Sequence, residues 1–217
     1  MQQIERVRVH AALGDEHRLA MVDALVAGDR TPGDLAQELG LATNLFAHHV
    51  KVLEEAGLIE RRMSEGDHRR RYLVLCHATL RAAGVAPVVL PKRAVFVCTH
   101  NSARSQYAAA AYERITGASA ASAGTQPAAR VHPLAVEVAA ERGLDLSRSA
   151  PAGYETLEVD FDVVVSVCDR AGEADTLPPG EHVHWSVPDP VAVGDIEAFR
   201  RAFDDLDRRL SAWTGSK

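Results

Sequence analysis

Cysteine is scarce in this chain: Cys76, Cys98 and Cys168 are the only three among 217 residues. Three sparse thiols exclude a disulfide scaffold and point to a reducing compartment. Long apolar runs are missing too. No stretch approaches the ~18–20 apolar residues that a membrane span needs. The opening Met1-Gln2-Gln3-Ile4-Glu5-Arg6 holds no apolar core of the leader type. The expectation is a soluble protein of the cytoplasm with no membrane partner. Basic excess is absent as well: 24 Lys and Arg stand against 30 Asp and Glu, a formal charge of −6. That removes a chain-wide nucleic-acid signature and leaves only a local basic patch to look for. Internal repeats and low-complexity tracts are lacking. What the chain does have is apolar content, 47%, spread over a length that suits two small domains with real cores.

The first half has helical periodicity and one hairpin. Helices are expected over 5–13 and 15–27, the second with Leu19, Val22 and Leu25 on one face and Gly28 as its C-cap. Thr31-Pro32-Gly33-Asp34 is an N-cap with proline at the first helical position, opening a short helix to Glu38. After a turn at Gly40, residues 44–56 place Phe46, His49, Val50 and Leu53 on one face. Residues 58–63 and 69–75 flank the polar turn Ser64-Glu65-Gly66-Asp67, which is a β-hairpin pattern. A last short helix follows over 77–83. Residues 85–92 carry two prolines without a helical period and are the expected linker.

The second half alternates. Strands are expected over 93–97, 119–125, 159–167 and 183–187. Helices are expected after Arg104, over 133–142, and at the C-terminus, where Ile196, Phe199, Phe203, Leu206, Leu210 and Trp213 make an apolar stripe. Such alternation means an α/β doubly wound parallel-sheet domain. Ligands bind at the carboxyl ends of strands in such sheets. Cys98 and Cys168 both stand there.

The chemistry-bearing segment is Cys98-Thr99-His100-Asn101-Ser102-Ala103-Arg104-Ser105, set between a strand and a helix. Backbone N–H groups of Thr99 to Ala103 and the helix N-terminus converge on one spot, a cradle for a tetrahedral anion. Arg104 adds a planar clamp. That positive field favours a thiolate nucleophile at Cys98. The alternative for a lone cysteine is a small apolar thiol at a strand end. A second feature favours the anion site: Val187-Pro188-Asp189-Pro190 fixes an aspartate on a loop, where Asp189 is placed to donate a proton to a leaving oxygen.

Residues 93–217 resemble the low-molecular-weight tyrosine phosphatase superfamily. The motifs are the Cys98–Ser105 loop, Ser122-Ala123-Gly124-Thr125, Val131-His132-Pro133, Gly143-Leu144-Asp145-Leu146-Ser147 and Asp189-Pro190. Within it the chain is most similar to the arsenate reductases that share the fold. The strand ending at Cys168 resembles the one that carries their second redox cysteine, and Val191-Ala192-Val193 lacks the aromatics that hold phosphotyrosine. The resemblance implies that Cys98 attacks arsenate, Arg104 and the loop amides hold its oxygens, and Asp189 protonates the leaving oxygen. It also implies that Asn101 shapes the loop and Ser105 steadies the thiolate. Two departures stand out: His100 replaces a usual glycine, and no third cysteine follows Cys168. The implied turnover therefore needs an external thiol reductant, a redoxin or a small thiol, and no tightly bound cofactor.

Residues 5–80 resemble the ArsR-type winged-helix repressors through Leu13-Gly14-Asp15-Glu16-His17-Arg18-Leu19 and through residues 48–59. The implied fold is an α+β winged helix-turn-helix domain over 1–84, ahead of the α/β domain at 93–217. The implied function is a homodimer on an operator inverted repeat. Helix 43–56 would enter the major groove, with Asn44, His48 and Lys51 exposed to DNA, and hairpin 59–75 would form a wing. Arg61, Arg62, Arg69, Arg70 and Arg71 would grip phosphates. The metal-sensing cysteine pair of that family is absent from 34–39, so no metal site is expected. His182 and His184 are expected at the surface, and Cys76 in the core. The leading expectation is a regulator–arsenate reductase fusion. The rivals are a phosphatase for phosphoproteins or small phosphate esters, and a non-enzymatic regulator whose pocket only senses an anion.

Overall fold

The computed structural model describes residues 3–84, 93–157 and 161–214. The expected linker 85–92 lies outside these residues, as does part of the expected strand 159–167. The first half contains α1 (Gln3–Leu13), α2 (Glu16–Ala27), α3 (Pro32–Glu38), α4 (Thr43–Glu55), β1 (Ile59–Met63), β2 (Arg71–Leu75) and α5 (His77–Ala83). Caps set the helix starts. Asp15 accepts from Arg18 N–H at the start of α2, and Thr31 accepts from Asp34 N–H at the start of α3, with Pro32 at the first position. Strands β1 and β2 pair antiparallel from Ile59↔Leu75 to Met63↔Arg71, leaving residues 64–70 as the hairpin tip. Met21, Leu25, Leu35, Val50, Leu53, Leu58 and Leu73 are among the residues that fill this half's core.

The second half contains β3 (Ala94–Cys98), α6 (Arg104–Thr116), β4 (Ala120–Gly124), α7 (Pro133–Glu141), β5 (Val163–Ser166), α8 (Asp169–Gly172), β6 (Glu181–His184), α9 (Pro190–Val193) and α10 (Ile196–Thr214). The strands are parallel in the order β4-β3-β5-β6. Side chains alternate across the sheet. Ala94, Phe96, Cys98, Val163 and Val165 join the large core with α6, α7 and α10, while Val95, Val97 and Val164 join a smaller one with Tyr154, Leu157 and Phe161. The last strand stops earlier than its sequence suggests. Trp185 N–H still donates to the Ser166 carbonyl, and beyond it the chain leaves the ladder: Ser186 N–H donates to Asp29 and the Val187 carbonyl accepts from Arg104. Among the described residues, no helix is long and apolar enough to cross a membrane.

The halves pack directly on each other. Asp29, on the loop between α2 and α3, accepts two bonds from Arg209 Nη1 of α10 at 3.0 and 3.1 Å. Both side chains are almost fully buried. Arg209 Nε also donates to Asp205 at 3.2 Å, and its guanidinium lies 6.0 Å from the centroid of the Trp185 ring. Arg62 donates to Asp205 at 3.0 Å and to the Ser186 carbonyl. Arg62, expected on phosphates, is thus turned into this interface, because the Asp205 carboxylate and the Ser186 carbonyl hold it there. Its Asp205 partner more than offsets the effect of burial and raises the Arg62 pKa.

Candidate functional site

Strand β3 delivers Cys98 to the carboxyl edge of the sheet, and the chain turns through residues 99–103 into α6. Ala103, at the N-cap of α6, has no side chain to cap with, so the first N–H groups of the helix are left for a ligand. The loop is held from behind. Thr125 N–H donates to the Cys98 carbonyl, Gln126 N–H to that of Thr99 and Ala128 N–H to that of His100. Gly124 makes this approach feasible: a Cβ there would lie 2.6 Å from the Thr99 carbonyl oxygen.

Asn101 is the hinge of the loop. It sits at φ 47°, the only non-glycine residue with positive φ among those described. Its side-chain oxygen accepts from Gln106 Nε2 at 2.9 Å and from Ala152 N–H at 2.8 Å. That fixes the amide orientation, so Nδ2 faces Ser105 Oγ at 2.8 Å and donates to it. The Ser105 hydroxyl proton is then free to point at Cys98 Sγ, 3.0 Å away. Asn101 N–H donates to the same sulfur at 3.1 Å. Two donors are thus aimed at one sulfur.

Arg104 is buried at the first turn of α6. Its Nη1 donates to the Val187 carbonyl at 2.7 Å, and Nη2 lies 3.2 Å from Asp189 Oδ1. Burial works against its charge, but the fields of Cys168, Asp189, Cys98 and Glu65 outweigh it and raise its pKa. Asp189 caps α9 and accepts from Val191 N–H. Cys168, one strand over, follows β5, with its sulfur 3.5 Å from Thr99 Oγ1. Burial pushes the Cys168 thiol up, and the Arg104 charge opposes that. The pocket between these groups holds about 210 Å³ and is lined by Thr99, His100, Arg104, Cys168 and Asp189. His100, in place of the expected glycine, is turned outward and lies 3.0 Å from the Gln126 carbonyl oxygen.

The same pocket is also lined by Glu65 and His68, from the hairpin tip of the first half. The sequence pattern placed Glu65 in a polar turn and gave His68 no role. His184 is a second correction. Far from lying free at the surface, its Nδ1 is 2.8 Å from Ser166 Oγ and its Nε2 is 3.1 Å from Asp169 Oδ1. The Tyr72 ring of the hairpin packs against it at a tilt of 48°, ring centroids 4.6 Å apart. His182 is exposed as expected. Cys76, expected in the core, is half-buried, and burial pushes its thiol up to about 11.

A second cluster is basic. Arg61, Arg69, Arg70 and Arg71 line one groove of about 420 Å³ beside Thr31, Pro32 and Asp34. Asn44, His48 and Lys51 lie exposed along α4. Some of this charge is already paired: Arg61 with Glu54 at 2.7 Å and Arg69 with Asp67 at 3.0 Å. Among the described residues, no three or more His, Cys, Asp or Glu are grouped to hold a metal ion.

Residues 93–216 match the family model for low molecular weight phosphotyrosine protein phosphatase, and residues 13–62 match a helix-turn-helix domain. A glutaredoxin arsenate reductase from Synechocystis is 33% identical over 129 residues, covering 55% of this chain and 93% of that protein. The transcriptional repressor SdpR of Bacillus subtilis is 32% identical over 62 residues, covering 29% of this chain and 62% of the repressor. The structure of Wzb from Vibrio vulnificus, bound to benzylphosphonate, aligns with 59% of this chain and 100% of its own at TM-score 0.52 and 21% identity, so it has the same fold.

Proposed function

The chain belongs to the low molecular weight phosphotyrosine protein phosphatase family and carries a helix-turn-helix domain ahead of that fold, and from this we propose that it is a DNA-binding regulator fused to a thiol-dependent arsenate reductase. The observation that carries the reductase reading is Cys168, a second thiol beside Thr99 that lines the Arg104 pocket and lies within the electrostatic reach of Cys98. Phosphate-ester hydrolysis needs one nucleophilic sulfur, whereas reduction of an oxyanion needs a second.

In the proposed reaction, the Cys98 thiolate attacks arsenic. A sulfur–arsenic bond forms, one arsenic–oxygen bond breaks, and the oxygen leaves as water with a proton from Asp189. Arg104, the loop amides and the α6 N-terminus hold the remaining oxygens. The Cys168 sulfur then attacks Cys98 Sγ. A disulfide forms and the electron pair of the sulfur–arsenic bond passes to arsenic, which leaves as arsenite. An external redoxin or small thiol reduces the disulfide and supplies the two electrons. Ser105 and Asn101 N–H serve by stabilising Cys98 as the attacking sulfur.

For the first half, the proposed role is operator binding as a homodimer, with α4 in the major groove and the Arg61, Arg69, Arg70 and Arg71 groove on phosphates. Purified protein assayed with arsenate and a panel of thiol reductants, beside a chromogenic phosphate ester, tests the catalytic reading. Wild type should reduce arsenate, and Cys98→Ser should do neither reaction. Good ester cleavage without arsenate reduction under any reductant would make the protein a phosphatase instead.

A further inference from the structure

The tip of the hairpin is fastened to the anion pocket of the other half at several points. The Glu65 carboxylate accepts from Asp189 N–H at 2.9 Å, and its Oε2 lies 3.6 Å from Arg104 Nη1. Glu65 N–H donates to Asp169 Oδ2 at 2.7 Å, on the residue next to Cys168. Asp169 is held for this: burial works against its charge, but bonds from His184 and Glu65 N–H outweigh it and keep its carboxyl below the usual range. On the outer side, Glu173 accepts from Ser64 Oγ at 2.6 Å, Asp67 N–H at 2.8 Å and Tyr72 Oη at 3.1 Å. Gly66 permits that approach, since a Cβ there would lie 2.3 Å from Glu173 Oε2.

Arg104 is the group that a tetrahedral oxyanion must engage, and here it already faces two carboxylates, Asp189 and Glu65. An oxyanion arriving on Arg104 brings a further negative charge to within a few ångströms of Glu65, in a pocket walled by protein. Like charges there repel far more strongly than in water. Asp189 is anchored in its own domain as the cap of α9. Glu65 is not, because it sits on a hairpin tip that the pocket itself holds in place.

We infer that Glu65 is an internal carboxylate ligand of the anion pocket, and that a bound inorganic oxyanion and the docked hairpin tip oppose one another. Occupation of the pocket weakens the Glu65 fastening and frees residues 64–70. These residues include Arg69 and Arg70 of the basic groove. The coupling is reciprocal. Whatever draws the hairpin away from the pocket tightens anion binding by the same factor that the anion loosens the hairpin. The inference rests on the anion-pocket reading above and adds that the two halves communicate through this contact.

The test uses the full chain and inorganic phosphate, which binds without redox turnover. Phosphate affinity is measured by titration calorimetry for wild type, Glu65→Ala, Glu65→Gln and Glu173→Ala. Glu65→Ala and Glu65→Gln should bind phosphate about 5- to 150-fold more tightly, the usual span of coupled sites. Glu173→Ala should shift affinity in the same direction, although Glu173 is bonded to the hairpin and not to Arg104. In wild type, saturating phosphate should speed hydrogen exchange at the Glu65 and Asp67 amides relative to those of α10. Tighter binding in the Glu65 variants alone, with Glu173→Ala and the exchange unchanged, would make Glu65 a local charge and overturn the coupling. Equal affinity in all four proteins would overturn it too, while leaving the anion pocket intact. No phosphate binding by any of them would remove both the coupling and the anion-pocket reading.

Discussion

Replacing Asp29 by alanine should be among the most damaging single changes in this protein. The reason is a stranded charge. Arg209 is almost fully buried and donates two of its bonds to Asp29, while Asp29 also accepts from Ser186 N–H at 2.7 Å. Breaking a buried ion pair by removing one partner costs about 3–5 kcal/mol. Arg209 keeps Asp205 and the Trp185 ring, a face worth ~0.5–2 kcal/mol to a cation. The lower end, about 3 kcal/mol, is therefore expected. That is a large share of the ~5–15 kcal/mol that holds a typical protein folded. Because the pair ties the two halves, the loss should also reduce cooperativity. Urea unfolding followed by circular dichroism should show a lower midpoint and a shallower or divided transition for Asp29→Ala. The double variant Asp29→Ala/Arg209→Met carries no stranded charge and should recover most of the loss. A single variant within about 0.5 kcal/mol of wild type, the range of ordinary surface changes, would refute the pair as a structural tie. A double variant no better than the single would refute the stranded-charge argument.

Four further outcomes follow from the site and the interface. Asp189→Asn should slow phosphate-ester hydrolysis by roughly 10²–10⁴-fold, with a smaller loss for esters of acidic alcohols; an equal loss for every leaving group would mean a structural role. Cys168→Ala should abolish arsenate reduction driven by a thioredoxin system and leave ester hydrolysis in place; normal reduction with a small thiol would show that the thiol attacks Cys98 directly. Replacing Arg69, Arg70 and Arg71 together by alanine should weaken binding to all DNA sequences alike and flatten the salt slope by about 3 in gel-shift titrations, at ~0.9 per phosphate contact; an unchanged slope would take the hairpin off the DNA. Burial holds His77 down at about 3, so between pH 6.5 and 3 the unfolded chain binds a proton that the folded one does not. Stability should fall as pH drops through that window by about 1.4 kcal/mol per pH unit at most, and His77→Leu should remove that part of the slope in acid unfolding curves.

The anion cradle was legible because it is local. Eight consecutive residues, Cys98 to Ser105, carry the sulfur, the turned backbone, the buried arginine and the serine bonded to the sulfur, between a strand and a helix that the pattern also gives. The alternation of strands and helices was legible for the same reason, through periodicity within short windows. Arg62 and His184 were misread because local pattern says nothing about a distant partner. An arginine on a hairpin has the same neighbours in sequence whether it meets a phosphate or Asp205, which lies 143 residues away. His184 stands on the edge strand β6, a place that normally faces water. It is covered because Tyr72 arrives from the other half.

Glu65 shows what signal was available for such contacts. An acid in a polar hairpin turn is the usual solvated pattern, and its bond to Asp189 spans 124 residues. Yet the cradle itself poses a charge question. An arginine buried deeply enough to clamp an oxyanion is costly to leave alone when no oxyanion is bound. Asp189 answers part of that need, and the Val187 carbonyl gives a dipole and no charge. A second carboxylate is thus expected at the guanidinium on electrostatic grounds. In a chain that joins a winged hairpin to such a cradle, the acids of the hairpin tip are the natural place to look for it, because a tip can reach across an interface while its strands stay paired.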